Sequence, residues 1–90
     1  MTGAHLPIRY RMEIYVDSFA RRPVASFPGA GPFAAVHTGD EMEPSTWPGS
    51  QYGQDMLARV TAVRHLIWLE SDHIRHSLSV CVNIERKSEQ

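Results

Sequence analysis

Along Ile8 to Asp17, IRYRMEIYVD, apolar and polar positions alternate without a break. Ile8, Tyr10, Met12, Ile14 and Val16 fall to one side, and Arg9, Arg11, Glu13, Tyr15 and Asp17 to the other. This period of two is that of a strand with one face on a core. A shorter strand is expected at residues 33–37, FAAVH. Between the two, Pro23, Pro28 and Pro32 with Gly29 and Gly31 forbid long regular structure and predict a loop. A second long loop follows to Asp55, punctuated by Gly39, Pro44, Pro48, Gly49 and Gly53. Its opening HTGDE, residues 37–41, is a tight-turn signal. Long loops in small domains are commonly functional.

The segment from Val60 to Val82, VTAVRHLIWLESDHIRHSLSVCV, reads as a hairpin. A turn centred between Ser71 and Asp72 sets Leu69 opposite Ile74, Ile67 opposite His76, His65 opposite Leu78, Val63 opposite Val80 and Thr61 opposite Val82. Those pairs form an apolar face. The other face then carries Val60, Ala62, Arg64, Leu66 and Trp68 opposite Asn83, Cys81, Ser79, Ser77 and Arg75. A slip of one residue would mix the two sets, so the pattern pins the register. On this reading Leu78 and Val80 reject a charge, while Ser79 accepts one. A helix competes for residues 55–69, because Met56, Val60, Val63 and Ile67 share a helical face and Asp55 can cap it. The β-branched and aromatic content of VTAVRHLIW, and its fit to IRHSLSVCVNI, favour strands.

The pattern therefore predicts a mainly β protein, a small antiparallel sheet or SH3-like half-barrel with two long loops. It forms one domain over residues 1–90, with a polar tail that frays from about residue 85. At 90 residues, 42% of them hydrophobic and 21% charged, the chain is an ordinary globular one whose core gains from association with a partner.

The net charge of −1 argues against a broad basic surface for nucleic acid. The charge is unevenly spread: Arg9, Arg11, Arg21 and Arg22 dominate the first third, and Asp40, Glu41, Glu43 and Asp55 stand in the middle without a base. The start MTGAHLPIRYRM lacks the apolar run of a secretory leader, and Leu66 to Leu69 is the longest aliphatic or aromatic run, which predicts a cytoplasmic protein with no membrane partner.

Catalytic chemistry finds little footing. The single Cys81 falls on the polar face, away from the core-face histidines, so no Cys/His pair is implied. Asp40, Glu41 and Glu43 cluster on a loop without an accompanying base. Gly29 and Gly31 do not open a helix after a strand, as a phosphate loop would require. His65 and His76 are diagonal neighbours in the proposed register and are read as structural side chains. A metal-dependent function at that pair is the third alternative, with His37 as the obvious further donor.

What remains is a surface. Arg64, Trp68 and Arg75 lie together on the polar face, and Arg9, Arg11 and Tyr15 join them if the first strand belongs to the same sheet. Trp47, in the second loop, is either a partner anchor or a lid on the core. The expected function is a non-enzymatic protein-binding module of inhibitor or adaptor type, with no cofactor. Its partner is another protein, or a second copy in a homodimer, bound through Arg64, Trp68, Arg75, Arg11 and Trp47. A small-barrel nucleic-acid binder using the same Arg and Trp face is the second reading.

Overall fold

The computed structural model describes residues 6–87. Five strands, β1 (Ile8–Val16), β2 (Ala25–Gly29), β3 (Glu41–Met42), β4 (Met56–Leu69) and β5 (Ile74–Arg86), make one sheet in the order β2-β1-β5-β4-β3 that curls into a half-barrel. Among the described residues the helical content is one 3-10 turn at Pro44–Thr46, and no helix is long and apolar enough to cross a membrane.

The hairpin is the backbone of the fold. Its register from Ala62 to Leu69 is the one the alternation predicts, with Leu69 opposite Ile74, His65 opposite Leu78 and Val63 opposite Val80. It departs at Thr61, where a β-bulge adds a residue and sets Val60, not Thr61, opposite Val82. The Thr61 hydroxyl donates to the Cys81 carbonyl at 3.2 Å. Val60 and Val63, three apart, could not share a face of a regular strand. The bulge lets both turn to the core, and Val60 is buried while Thr61 is exposed.

The core covers one side of the sheet: Ile14 from β1, Ala25 from β2, Ala58 and Val60 from β4, and Leu78, Val80 and Val82 from β5. β1 lies parallel to β5, Ile14 against Val80 and Val16 against Val82, so the sheet is mixed and only its other three pairings are antiparallel. The expected strand at residues 33–37 does not form. That stretch crosses the core face without pairing, and Phe33 and Val36 pack onto the sheet as cover. The strand that flanks β1 is instead β2, within the region the prolines marked as a loop. Pro28 is tolerated there because β2 is an edge strand, where a missing N–H can face outwards. At Gly29 a Cβ would lie 2.9 Å from the Phe33 ring, so glycine is what lets Phe33 fold back.

The turn at residues 37–40 is present. Gly39 has φ +96°, Asp40 donates its N–H to the His37 carbonyl, and the Asp40 carboxylate accepts the His37 N–H at 2.8 Å. Trp47 is 7% exposed and meets Tyr52 edge-on at 6.0 Å between ring centres. It is a lid on the core and offers no surface anchor, in contrast to its candidacy for partner binding.

The polar end of the chain is tied down further than the sequence suggests. Glu85 and Arg86 belong to β5, Glu85 accepts from Arg59 at 3.1 Å, and Lys87 donates its backbone N–H to Asp55. β5 thus runs through the point at which the tail was expected to begin, and residues 88–90 lie outside the described residues. Lys87 also donates through Nζ to Glu43 at 2.7 Å, and this bond, with one from Ser45, holds the Glu43 carboxyl below the ordinary carboxylate range. Stability from this clasp is fully present above the ordinary range and is lost as pH falls through the lowered pKa. Glu43→Gln is expected to melt slightly below the wild type at neutral pH and to show a shallower acid limb, the two proteins converging as pH falls through the lowered pKa.

Candidate functional site

The face of the sheet away from the core holds the predicted surface residues, placed by three strands. The parallel register sets Arg9 beside Arg75, Arg11 beside Ser77 and Tyr15 beside Cys81, while β4 sets Trp68 beside Arg75 and Arg64 beside Ser79. β1 thus joins the sheet with its arginines on the expected side. This face is not uniformly open. Ser77 and Ser79 are each 2% exposed and Cys81 4%, because β5 is the central strand and longer neighbours on both sides cover its short side chains. The expectation that Ser79 accepts a charge is therefore corrected: it lies as deep as the core.

Around that floor the long side chains pair off. The Arg75 guanidinium lies 5.2 Å from the Trp68 ring centre and 3.5 Å from Glu70, and the Trp68 indole N–H donates to the same Glu70 carboxylate at 3.1 Å. Arg64 does not join this group. It stacks over Phe19 at 4.4 Å, and Phe19 meets Tyr15 edge-on at 5.3 Å. Phe19 is set there by the turn after β1, where Asp17 adopts φ 70°, a left-handed conformation that aspartate tolerates. Nothing in the sequence around Phe19 marks it as a member of this face.

Arg9, Arg11 and Arg75 line a concavity of about 260 Å³ together with Gly29 and His73. Among the described residues Arg9 and Arg11 have no ion pair; Arg11 donates to the Ser26 hydroxyl at 3.3 Å. His73 is nearly buried and its Nδ1 lies 2.7 Å from the Asp72 carboxylate. That contact, with a smaller contribution from Arg9, keeps the Asp72 carboxyl below its ordinary value. Arg21 pairs with Asp17 after β1, and at the other end of the molecule Arg59 meets Glu41 and Glu85, Arg86 meets Asp55 and Lys87 meets Glu43. A net charge near zero thus conceals two unlike ends.

On the core face, beyond the buried cluster, His65 Nδ1 and His76 Nε2 are 3.0 Å apart, so one ring donates and the other accepts. The pair borders a second concavity of about 280 Å³, closed on one side by Phe33 and Val36 and also lined by Tyr10 and His37. Among the described residues no group of three or more His, Cys, Asp or Glu side chains is arranged to hold a metal ion.

Cys81 is buried and free. Asp40 holds the residue 37–40 turn, Glu41 pairs with Arg59 and Glu43 with Lys87, so each acid of the loop cluster has a structural engagement. Comparison with protein-family models, with curated proteins and with solved structures finds no match.

Proposed function

We propose that the chain is a non-enzymatic binding module that recognises an acidic segment of another protein through the arginine-bearing face of its sheet. The observation that carries this is the convergence of Arg9, Arg11 and Arg75 on one concavity, two of them without an ion pair among the described residues. Guanidinium groups match carboxylates with paired, directional hydrogen bonds, and arginine is enriched among interface anchors. A role without catalysis accords with the structural engagement of the loop acids and the burial of Cys81. A free buried thiol also suits a reducing compartment such as the cytoplasm.

Single-stranded nucleic acid is the second reading, favoured by the aromatic rings on the same face. Protein is preferred because Arg75 already covers the Trp68 ring and Arg64 the Phe19 ring, which leaves less aromatic surface for bases.

The test is fluorescence anisotropy with a labelled glutamate-rich peptide and, in parallel, a labelled single-stranded oligonucleotide. The peptide is expected to bind, and Arg11→Glu to weaken it by roughly thirtyfold or more, as loss of an anchor worth about 2 kcal/mol requires. Binding of the oligonucleotide alone, collapsing as salt is raised, would move the assignment to nucleic acid.

A further inference from the structure

The outer edge of β4 is open over its distal half. β3 pairs only with Ala58 and Arg59, and Val60 exchanges backbone bonds with Gly39 and Asp40. Beyond the bulge, no backbone group among the described residues bonds to that edge. Glu70 directs its N–H inwards to the His73 carbonyl, so strand alternation turns the N–H and C=O of Val63, His65, Ile67 and Leu69 outwards. Sheet edges are ordinarily guarded by Lys, Pro or a bulge. From Ala62 to Leu69 there is no Lys, Pro or bulge, and the one charged side chain is Arg64. The edge is also apolar and bare: Ile67 is 64% and Leu69 70% exposed, with Leu66 and Trp68 near 40%. The radius of gyration is 15.5 Å, against about 12 Å for a compact chain of this length, as expected if the hairpin end stands clear of the covered core.

We infer that this edge pairs with the same edge of a second copy, antiparallel about a two-fold axis at Ile67, joining two sheets into one. That axis sets Ile67 against itself, an arrangement in which both residues turn their backbone groups towards the partner. Leu66 then lies against the partner's Trp68, and Arg64 against the partner's Glu70, each contact occurring twice. The Glu70 carboxylate accepts its internal bonds on Oε1, leaving Oε2 for the incoming guanidinium. An axis at His65 would oppose Arg64 to Leu66, and one at Leu66 would oppose it to Trp68, so charge complementarity selects Ile67. The two arginine faces come to lie on the same side of the joined sheet, because paired positions share a face. The inference does not rest on the acidic-partner reading; Arg11 lies on β1, across β5 from this edge.

Sedimentation equilibrium of the full chain tests it. The wild type is expected to be a dimer at tens of micromolar. Ile67→Pro removes an N–H that only the partner uses and is expected to give a monomer with an unchanged circular dichroism spectrum. Arg64→Glu and Glu70→Arg each oppose like charges twice and are expected to weaken the dimer by about tenfold. An equal mixture of those two variants restores attraction at both pairs and is expected to recover wild-type affinity. A monomeric wild type, a dimer indifferent to Ile67→Pro, or a mixture no tighter than its components would each overturn the inference. Arg11→Glu is expected to leave the dimer intact, which separates this result from failure of the peptide-binding reading.

Discussion

Val80→Asp is expected to abolish folding, whereas Ser79→Ala, one residue away, is expected to melt at or above the wild-type temperature. Val80 is fully buried between β1 and β4, opposite Ile14 and Val63. Its replacement forfeits about 1.5–3 kcal/mol of apolar burial. It also leaves a carboxylate without a partner in the core, a defect of about 3–5 kcal/mol where one half of a buried pair is removed. Together these rival the ~5–15 kcal/mol that holds a domain folded. Ser79 is just as inaccessible, yet its Oγ has no hydrogen-bond partner among the described residues. Deleting an unsatisfied buried hydroxyl relieves a desolvation penalty of about 1–3 kcal/mol, offset in part by the small void left behind. Thermal melts followed by circular dichroism check both. Folding of the Val80→Asp variant would show that β5 does not present this residue to the core.

Trp47→Ala carries the second large effect, an expected loss of about 3–5 kcal/mol. Trp47 sits in the second long loop, follows the 3-10 turn at Pro44–Thr46 and closes the core over β4, with Tyr52 against its edge. Without it the buried cluster that includes Ala58 and Val60 loses its largest side chain. At about 4–8 °C per kcal/mol for a domain of this size, the melting temperature is expected to fall by 12 °C or more, roughly. Urea denaturation should give a lower midpoint with the slope retained. A variant that melts like the wild type but loses a partner would make Trp47 an anchor and overturn its placement as a lid.

The competing helical reading of residues 55–69 shows how a pattern can be right about faces and silent about geometry. Met56, Val60, Val63 and Ile67 share one face in the structure, as a helix would have had them, but the shared face is made by a strand with a bulge at Thr61. Period-two alternation on either side of the bulge, joined by one extra residue, imitates a helical spacing over a short window. On the candidate surface, the neighbourhood of Trp68 and Arg75 was legible because both lie in one hairpin with a pinned register. Arg64's partner Phe19 was not, since it reaches the face through a loop.

By itself the sequence determined the mainly β class, the faces of β1 and of the hairpin, and the hairpin register up to Ala62. These follow from alternation and turn position, which are local. Only the tertiary structure decided that β1 runs parallel to β5, that residues 33–37 cover the core unpaired while Ala25–Gly29 pairs, and that Trp47 turns inwards. It also decided that Ser77, Ser79 and Cys81 lie buried on a face whose pattern reads as polar. The reason is common to all of these. Alternation is unchanged when a strand reverses direction or exchanges neighbours, and burial depends on what lies alongside a residue, which short-range pattern does not record.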